Sequence, residues 1–276
     1  MKVAVLGLGI IGSRAAANLR QHPDHQLTVW NRTPKGFDDE ATSPEEAARE
    51  TDVVALYLKD GPTVREVAER VLQSSSGRAI LLNHSTVDLE TTRWLADECA
   101  RRDWEFLDAP FTGSRDAAAA GELVYYAAGD PELIERCRSL MAVTSKQVIP
   151  CGEAGRATII KLVTNLVSAS TVQALSEALA IASHHGIEAE TFTEAVAGNA
   201  CGSPLAALKL PSMASGDFEP HFSLANMLKD SRYVIELAEQ LDTPVIRAAS
   251  DRMAELDAAG LGDRDYSVLA SAYRES

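Results

Sequence analysis

Lys161 is the only charged side chain between Ala157 and Ser176, within the run GRATIIKLVTNLVSASTVQALSEALAIASHH from Gly155 to His185. Asn165 follows four residues later, a spacing that stacks two side chains on one helix face. Thr158 and Ser168 extend that polar stripe. An ammonium in this setting has two readings. It can snorkel, its stem covering apolar surface while the charge reaches water. Or it can sit in a cleft as an acid/base group, with Asn165 orienting it or its substrate.

A second set of residues lies at the start of the chain. Lys2 to Leu6 reads as a short strand and meets GLGIIG, with a helical pattern after it. Gly7 permits a tight turn, Gly9 lets the backbone approach a pyrophosphate, and Gly12 lets the helix pack on the strand. The amides of Leu8, Ile10 and Ile11 fall at the helix N-terminus, where the dipole favours phosphate. The next strand, Gln26 to Trp30, ends in Asn31-Arg32-Thr33. Asn31 stands where NAD-binding proteins usually carry an acid on the ribose 2′-hydroxyl. The acid is absent, and Arg32 with Thr33 suits a 2′-phosphate, so the expected cofactor is NADP in preference to NAD. The alternative is a surface arginine after a strand.

These groups need a scaffold, and the patterning supplies one. Ser43-Pro44-Glu45-Glu46 reads as a capping box opening a helix to about Glu50. Val53 to Leu58, Ala79 to Leu82, Glu105 to Leu107, Leu123 to Ala128 and Gln147 to Ile149 read as strands. Pro62 to Leu72, Asp88 to Arg102 and Asp130 to Met141 read as helices. Strand and helix alternate, so the first half is expected to be a Rossmann-type, doubly wound α/β sheet with its ligand over the strand C-termini. Leu58, Lys59, Ser85, Thr86 and Thr112-Gly113-Ser114 fall on that edge. His84 reads as a structural or cofactor-lining residue at a strand end.

After Cys151 the strand pattern stops. The apolar run from Gly155 spans about 45 Å as a helix, and it is expected to be buried on most sides. Helices are expected at Glu190 to Ala197, Pro204 to Leu210 with Pro211 as its stop, Phe222 to Leu241, Pro244 to Ala258 with Thr243 as N-cap, and after Asp265. The expected organisation is a cofactor domain over residues 1–152 and an all-helical substrate and oligomerisation domain over 153–276, joined by the long helix. Small-molecule sites gather in clefts between domains, and Lys161 lies close to the helix start.

The chain has 276 residues, 46% of them hydrophobic, and a net charge of −14. That balance speaks against nucleic acid and against an anionic membrane surface as partners. Four scattered cysteines without C-x-x-C spacing read as reduced thiols. The first apolar run is too short for a signal-peptide core, and Lys161, Asn165 and Gln173 interrupt the longest one, so a cytoplasmic protein is expected. No His/Cys/Asp cluster suggests a metal. The long apolar helix suggests a homodimer or homotetramer.

Taken together, GLGIIG, DAPFTGS at Asp108 to Ser114, GEAGRATIIKLVTN at Gly152 to Asn165, Lys229-Asp230 and GLGDRDYS at Gly260 to Ser267 resemble the signatures of the β-hydroxyacid dehydrogenase family. That family includes 3-hydroxyisobutyrate dehydrogenase and the glyoxylate/succinic semialdehyde reductases, and the resemblance spans essentially the whole chain. It implies NADP-dependent interconversion of a small β-hydroxy acid and its semialdehyde or keto acid. Lys161 would be the acid/base and Asn165 would position the substrate. Thr112, Gly113 and Ser114 would hold the substrate carboxylate, and Ser85 and Thr86 would flank the nicotinamide. Lys229 would reach cofactor or substrate, and Phe222 and Asp230 would line the site. Ala157, Thr164, Thr112 and Phe111 depart from the family pattern, and Phe111 replaces a small aliphatic residue in a way that could reshape the pocket. The NRTP segment is shared with imine reductases, which generally lack the lysine. A non-catalytic NADP-binding sensor is the competing class.

Overall fold

A computed structural model describes residues 1–74 and 78–273, which form two compact units, Met1–Lys161 and Leu162–Ser276. In the first, β1 (Lys2–Leu6), β2 (Gln26–Trp30), β3 (Val53–Leu56), β4 (Ile80–Asn83) and β5 (Glu105–Asp108) lie in the order β2-β1-β3-β4-β5, all parallel. These strands are short, apolar and valine- or leucine-rich, as parallel strands covered on both faces must be. Successive residues point to opposite faces. Val3, Val5, Val53, Ala55, Ile80 and Leu82 enter one core, while Ala4, Leu6, Val54, Leu56 and Leu81 enter the other.

The register places the last residues of these strands side by side. Trp30 pairs with Leu6, Leu6 with Leu56, Leu56 with Asn83, and Asn83 with Asp108. The segments that follow Leu6, Trp30, Leu56 and Asn83 therefore leave the sheet from one line, whereas Thr112 lies four residues past Asp108 in a further short strand. The helices between the strands are α1 (Gly12–Gln21), α2 (Pro44–Ala47), α3 (Gly61–Ser74), α4 (Leu89–Arg101) and α6 (Pro131–Ala142). α2 is shorter than expected. The Ser43 hydroxyl caps it by accepting from the Glu46 amide at 3.1 Å, but the Glu46 carboxylate turns to Thr42 instead of closing the reciprocal half of the box.

Beyond β5 the alternation breaks. β6 (Phe111–Thr112) and β7 (Leu123–Ala128) pair antiparallel, and β7 also runs antiparallel to β5. A five-residue helix, α5 (Arg115–Ala119), lies between β6 and β7 over a run of alanines. β8 (Ser145–Gly152) is longer than its apolar centre suggested and pairs only with β7, so Pro150 is tolerated at the sheet edge.

The long helix, α7, runs Arg156–His184, 29 residues or about 44 Å. It is less buried than its composition implied. Leu162, Ala169, Val172, Leu175 and Leu179 enter the core of the second unit, whereas Val167 is 61% and Ile181 63% exposed. By length and composition alone α7 could cross a membrane, and a third of its most apolar window is buried in this chain. α8 (Ala189–Ala197), α9 (Pro204–Ser215), α10 (Leu224–Leu237) and α11 (Pro244–Leu256) follow, then a π turn at Asp257–Leu261 and a 3-10 segment at Tyr266–Tyr273. Pro211 does not stop α9. It removes one helical hydrogen bond, while Leu210 and Met213 are buried on either side of it and hold the last turn in place. Thr243 precedes α11 without a side-chain capping bond. Phe222 lies before α10, outside it, because Ser223 is the N-cap and accepts from the Asn226 amide.

Candidate functional site

At the glycine turn the three glycines have different reasons to be there. Gly7 has φ +103°, and a Cβ on it would lie 2.3 Å from the Tyr57 carbonyl oxygen. A Cβ on Gly12 would lie 2.0 Å from the Gly7 carbonyl oxygen. A Cβ on Gly9 would meet nothing within 4 Å, so this position opens onto the face where a pyrophosphate would approach. The residues present thus fit a dinucleotide. The Asn31 side chain braces the turn, its Oδ1 accepting from the Leu8 amide at 2.9 Å and its Nδ2 donating to the Thr33 carbonyl at 2.7 Å. Arg32 is exposed and paired with Glu66 of α3 at 3.3 Å. Ile10 is exposed, and Ile11 packs partly against the first core.

Ser85 is buried and ties two strand ends together. Its Oγ accepts from the Leu58 amide at 2.8 Å and donates to the Leu56 carbonyl at 3.2 Å. Thr86, beside it, is half-buried, and Lys59 is exposed. His84 is 3% exposed and lies between the rings of Tyr57 and Tyr125, at 4.7 and 4.6 Å. Its Nδ1 is 2.6 Å from the Ala109 carbonyl, which can only accept, so Nδ1 carries the proton. Burial pushes its pKa down to about 4 despite that bond. An unfolded histidine titrates near 6.5, so the neutral, folded form contributes stability above that pH and loses it as the pH falls towards 4. The stability advantage of the native protein over His84→Asn should shrink by about 3 kcal/mol between pH 7 and pH 4 in urea titrations. A pH-independent difference would contradict this environment.

Phe111 is half-buried. Its ring packs against the first core, near Tyr57 and edge-on to Tyr125 at 6.3 Å. Thr112 pairs with Val124, and Gly113 has φ +142° with Leu123 Cδ2 2.7 Å from where its Cβ would be. The Ser114 hydroxyl caps α5 by accepting from the Ala117 amide at 3.2 Å.

The sequence reading passed over Asp108 as one letter of a signature. It is fully buried, and its carboxylate accepts from the Gly155 amide at 3.1 Å, the Thr158 amide at 2.9 Å and the Thr158 hydroxyl at 2.9 Å. Burial raises its pKa to about 6, against the downward pull of those bonds. Lys161, one turn further along α7, is buried, at 9% exposed.

In the second unit Asn165, Lys229 and Asp230 form one cluster. Asn165 Nδ2 donates to Asp230 Oδ2 at 2.6 Å, and Lys229 Nζ lies 2.9 Å from Asp230 Oδ1 and 5.0 Å from the Tyr233 ring centre. Phe222 belongs to a different network. Its ring meets Tyr266 edge-on at 6.1 Å, and its amide and that of His221 donate to Asp265 Oδ2 at 3.1 and 3.0 Å. Asp265 also receives both bonds of Lys209 Nζ, at 2.7 and 2.8 Å. In the sequence Lys209 stands alone in PLAALKLP and Asp265 is one letter of GLGDRDYS, and nothing local joins them. Among the described residues no group of three His, Cys, Asp or Glu side chains could hold a metal.

A parallel sheet with an open glycine turn at the end of β1 defines a pyridine-nucleotide-binding protein. Residues 2–152 match the NAD binding domain of 6-phosphogluconate dehydrogenase, and residues 155–273 match the NAD-binding region of NADP-dependent 3-hydroxyisobutyrate dehydrogenase. The chain belongs to the β-hydroxyacid dehydrogenase family, whose members are NAD(P)-dependent oxidoreductases. It is 29% identical to glyoxylate/succinic semialdehyde reductase 1 of Arabidopsis thaliana, over 100% of this chain and 99% of that one. It is also 29% identical to the chloroplastic reductase 2 of the same plant, over 99% of this chain and 80% of that one. Among solved structures, the 3-hydroxyisobutyrate dehydrogenase of Mycobacterium tuberculosis with L-serine superposes with a TM-score of 0.89 at 27% identity, covering 99% of each chain.

Proposed function

We propose that the protein is an NADP-dependent reductase of small aldehyde or keto acids, working reversibly on the matching hydroxy acid. The carrying observation is Lys161, a residue nine-tenths buried on a helix whose first turn is held by Asp108. When bound, the nicotinamide supplies the hydride in reduction and accepts it in oxidation. Lys161 gives its proton to the carbonyl oxygen as the alkoxide develops, and takes it back in the reverse direction. Asn165, held by Asp230, orients the substrate, and Thr112, Gly113 and Ser114 receive its carboxylate through hydroxyl and amide groups. The names of the Arabidopsis relatives support semialdehydes and glyoxylate as the substrate class.

Gly7 to Gly12 would receive the pyrophosphate, with Leu58, Lys59, Ser85, Thr86 and Lys229 along the rest of the cofactor. Arg32 and Thr33 support NADP over NAD. A panel of glyoxylate, succinic, methylmalonate and tartronate semialdehydes with NADPH and NADH side by side tests the reading. The expected result is turnover of at least one acid, at least tenfold more efficient with NADPH, and loss of that preference in Arg32→Ala. Tight NADPH binding without turnover of any acid would favour a sensor instead, and equal use of both cofactors would remove the role of Arg32.

The open stripe of Ile160, Val163, Val167 and Ile181 on α7 supports a homodimer or homotetramer. A monomer mass by light scattering would overturn that.

A further inference from the structure

The first turn of a helix leaves four backbone N–H groups without helical partners. Most helices meet this with a Ser, Thr, Asp or Asn just before the turn. α7 has none, since Gly152-Glu153-Ala154-Gly155 precedes it. The need is met from 47 residues away by Asp108, the last residue of β5. One oxygen of its carboxylate takes the amides of Gly155 and Thr158, and the other takes the Thr158 hydroxyl proton. With its proton so committed, Thr158 Oγ1 accepts at 2.8 Å from the hydroxyl of Thr92 on α4. Asp108, Thr92 and Thr158 are all at most 3% exposed.

Lys161 lies three residues beyond Thr158, on the same face and about 4.5 Å further along the axis. Asp108 in turn pairs with Asn83, two residues before Ser85, and lies four residues before Thr112. We propose that Asp108, acting through Thr158, is the positioning residue that fixes Lys161 against the sheet edge carrying the substrate and nicotinamide segments. This rests on the reading of Lys161 as proton donor. The physical reason is leverage. Misplacing a reacting group by about 1 Å costs on the order of a hundredfold in rate, and an uncapped, fraying first turn would let the amine wander by that much.

Thr158→Val keeps shape and removes the hydroxyl, while Thr158→Ser keeps the hydroxyl. With the best acid from the substrate panel, Thr158→Val is expected to lower kcat ten- to a hundredfold with NADPH affinity within twofold. Thr158→Ser should stay within threefold of the native kcat. In the ligand-free protein, hydrogen exchange of a peptide covering residues 156–162 should quicken about tenfold in Thr158→Val and not in Thr158→Ser. Asp108→Asn, which turns a donor towards donors, should lose at least as much kcat as Thr158→Val. If it does not fold, the Thr158 pair decides alone. Native kcat and native exchange in Thr158→Val would overturn the proposal. So would equal losses in the valine and serine variants, or kcat and NADPH affinity falling together. If Lys161→Ala abolishes turnover while Thr158→Val does not, the positioning role alone fails. If Lys161→Ala turns over normally, the proton-donor reading fails first.

Discussion

Lys161→Ala is expected to lower kcat by about a thousandfold, within the 10²–10⁴ range for losing a positioned proton donor. NADPH affinity should stay within a few-fold, because the glycine turn that would hold the cofactor is remote from Lys161 in sequence and keeps its own geometry. The reason for so large an effect is that water, or nothing, must then supply the proton to a developing alkoxide. Lys161→Met separates volume from chemistry by keeping the apolar stem. If the stem mattered most, as in a lysine that only packs, Lys161→Met would be nearly as active as the native protein and only Lys161→Ala would be impaired. Equal loss in both, read from single-turnover kinetics at saturating NADPH, is the result expected here.

Lys209→Met is expected to destabilise the protein by about 3–5 kcal/mol, the range for removing one partner of a buried ion pair. Lys209 and Asp265 are 2% and 1% exposed, so Asp265 would be left as an uncompensated buried charge. Burial by itself would raise its carboxyl pKa. The Lys209 ammonium and the amides of Ser267 and Phe222 hold it below the usual carboxylate value instead. The loss should appear as a midpoint lower by roughly 10 °C in calorimetry. A change in melting temperature below about 2 °C would mean that the pair is not buried in solution.

Much of this molecule could be read one residue at a time. The glycine turn, the short apolar strands up to β5 and the 29-residue helix all declare themselves through composition and period over fewer than thirty residues. Other features resisted that reading because their cause lies elsewhere. Pro211 looks like a helix stop until Met213 is found buried beyond it. The alanines after Ser114 form a helix because a hydroxyl caps them, and β7 runs against both β5 and β6 because the chain reverses through that helix, between Thr112 and Leu123. That the Phe111 ring packs against the first core, beside Tyr57 and Tyr125, likewise has no local sign.

The same division runs through the candidate site. Residue type and spacing already singled out Lys161, Asn165 and the three glycines, because helix period and turn geometry are properties of neighbours along the chain. Asp108 reaching Thr158, Asn165 reaching Asp230 and Lys209 reaching Asp265 join residues 50, 65 and 56 positions apart. No local period encodes such pairings. They exist because a buried polar group must find a partner wherever packing brings one within about 3 Å, and that is settled only when the strands and helices have closed around it.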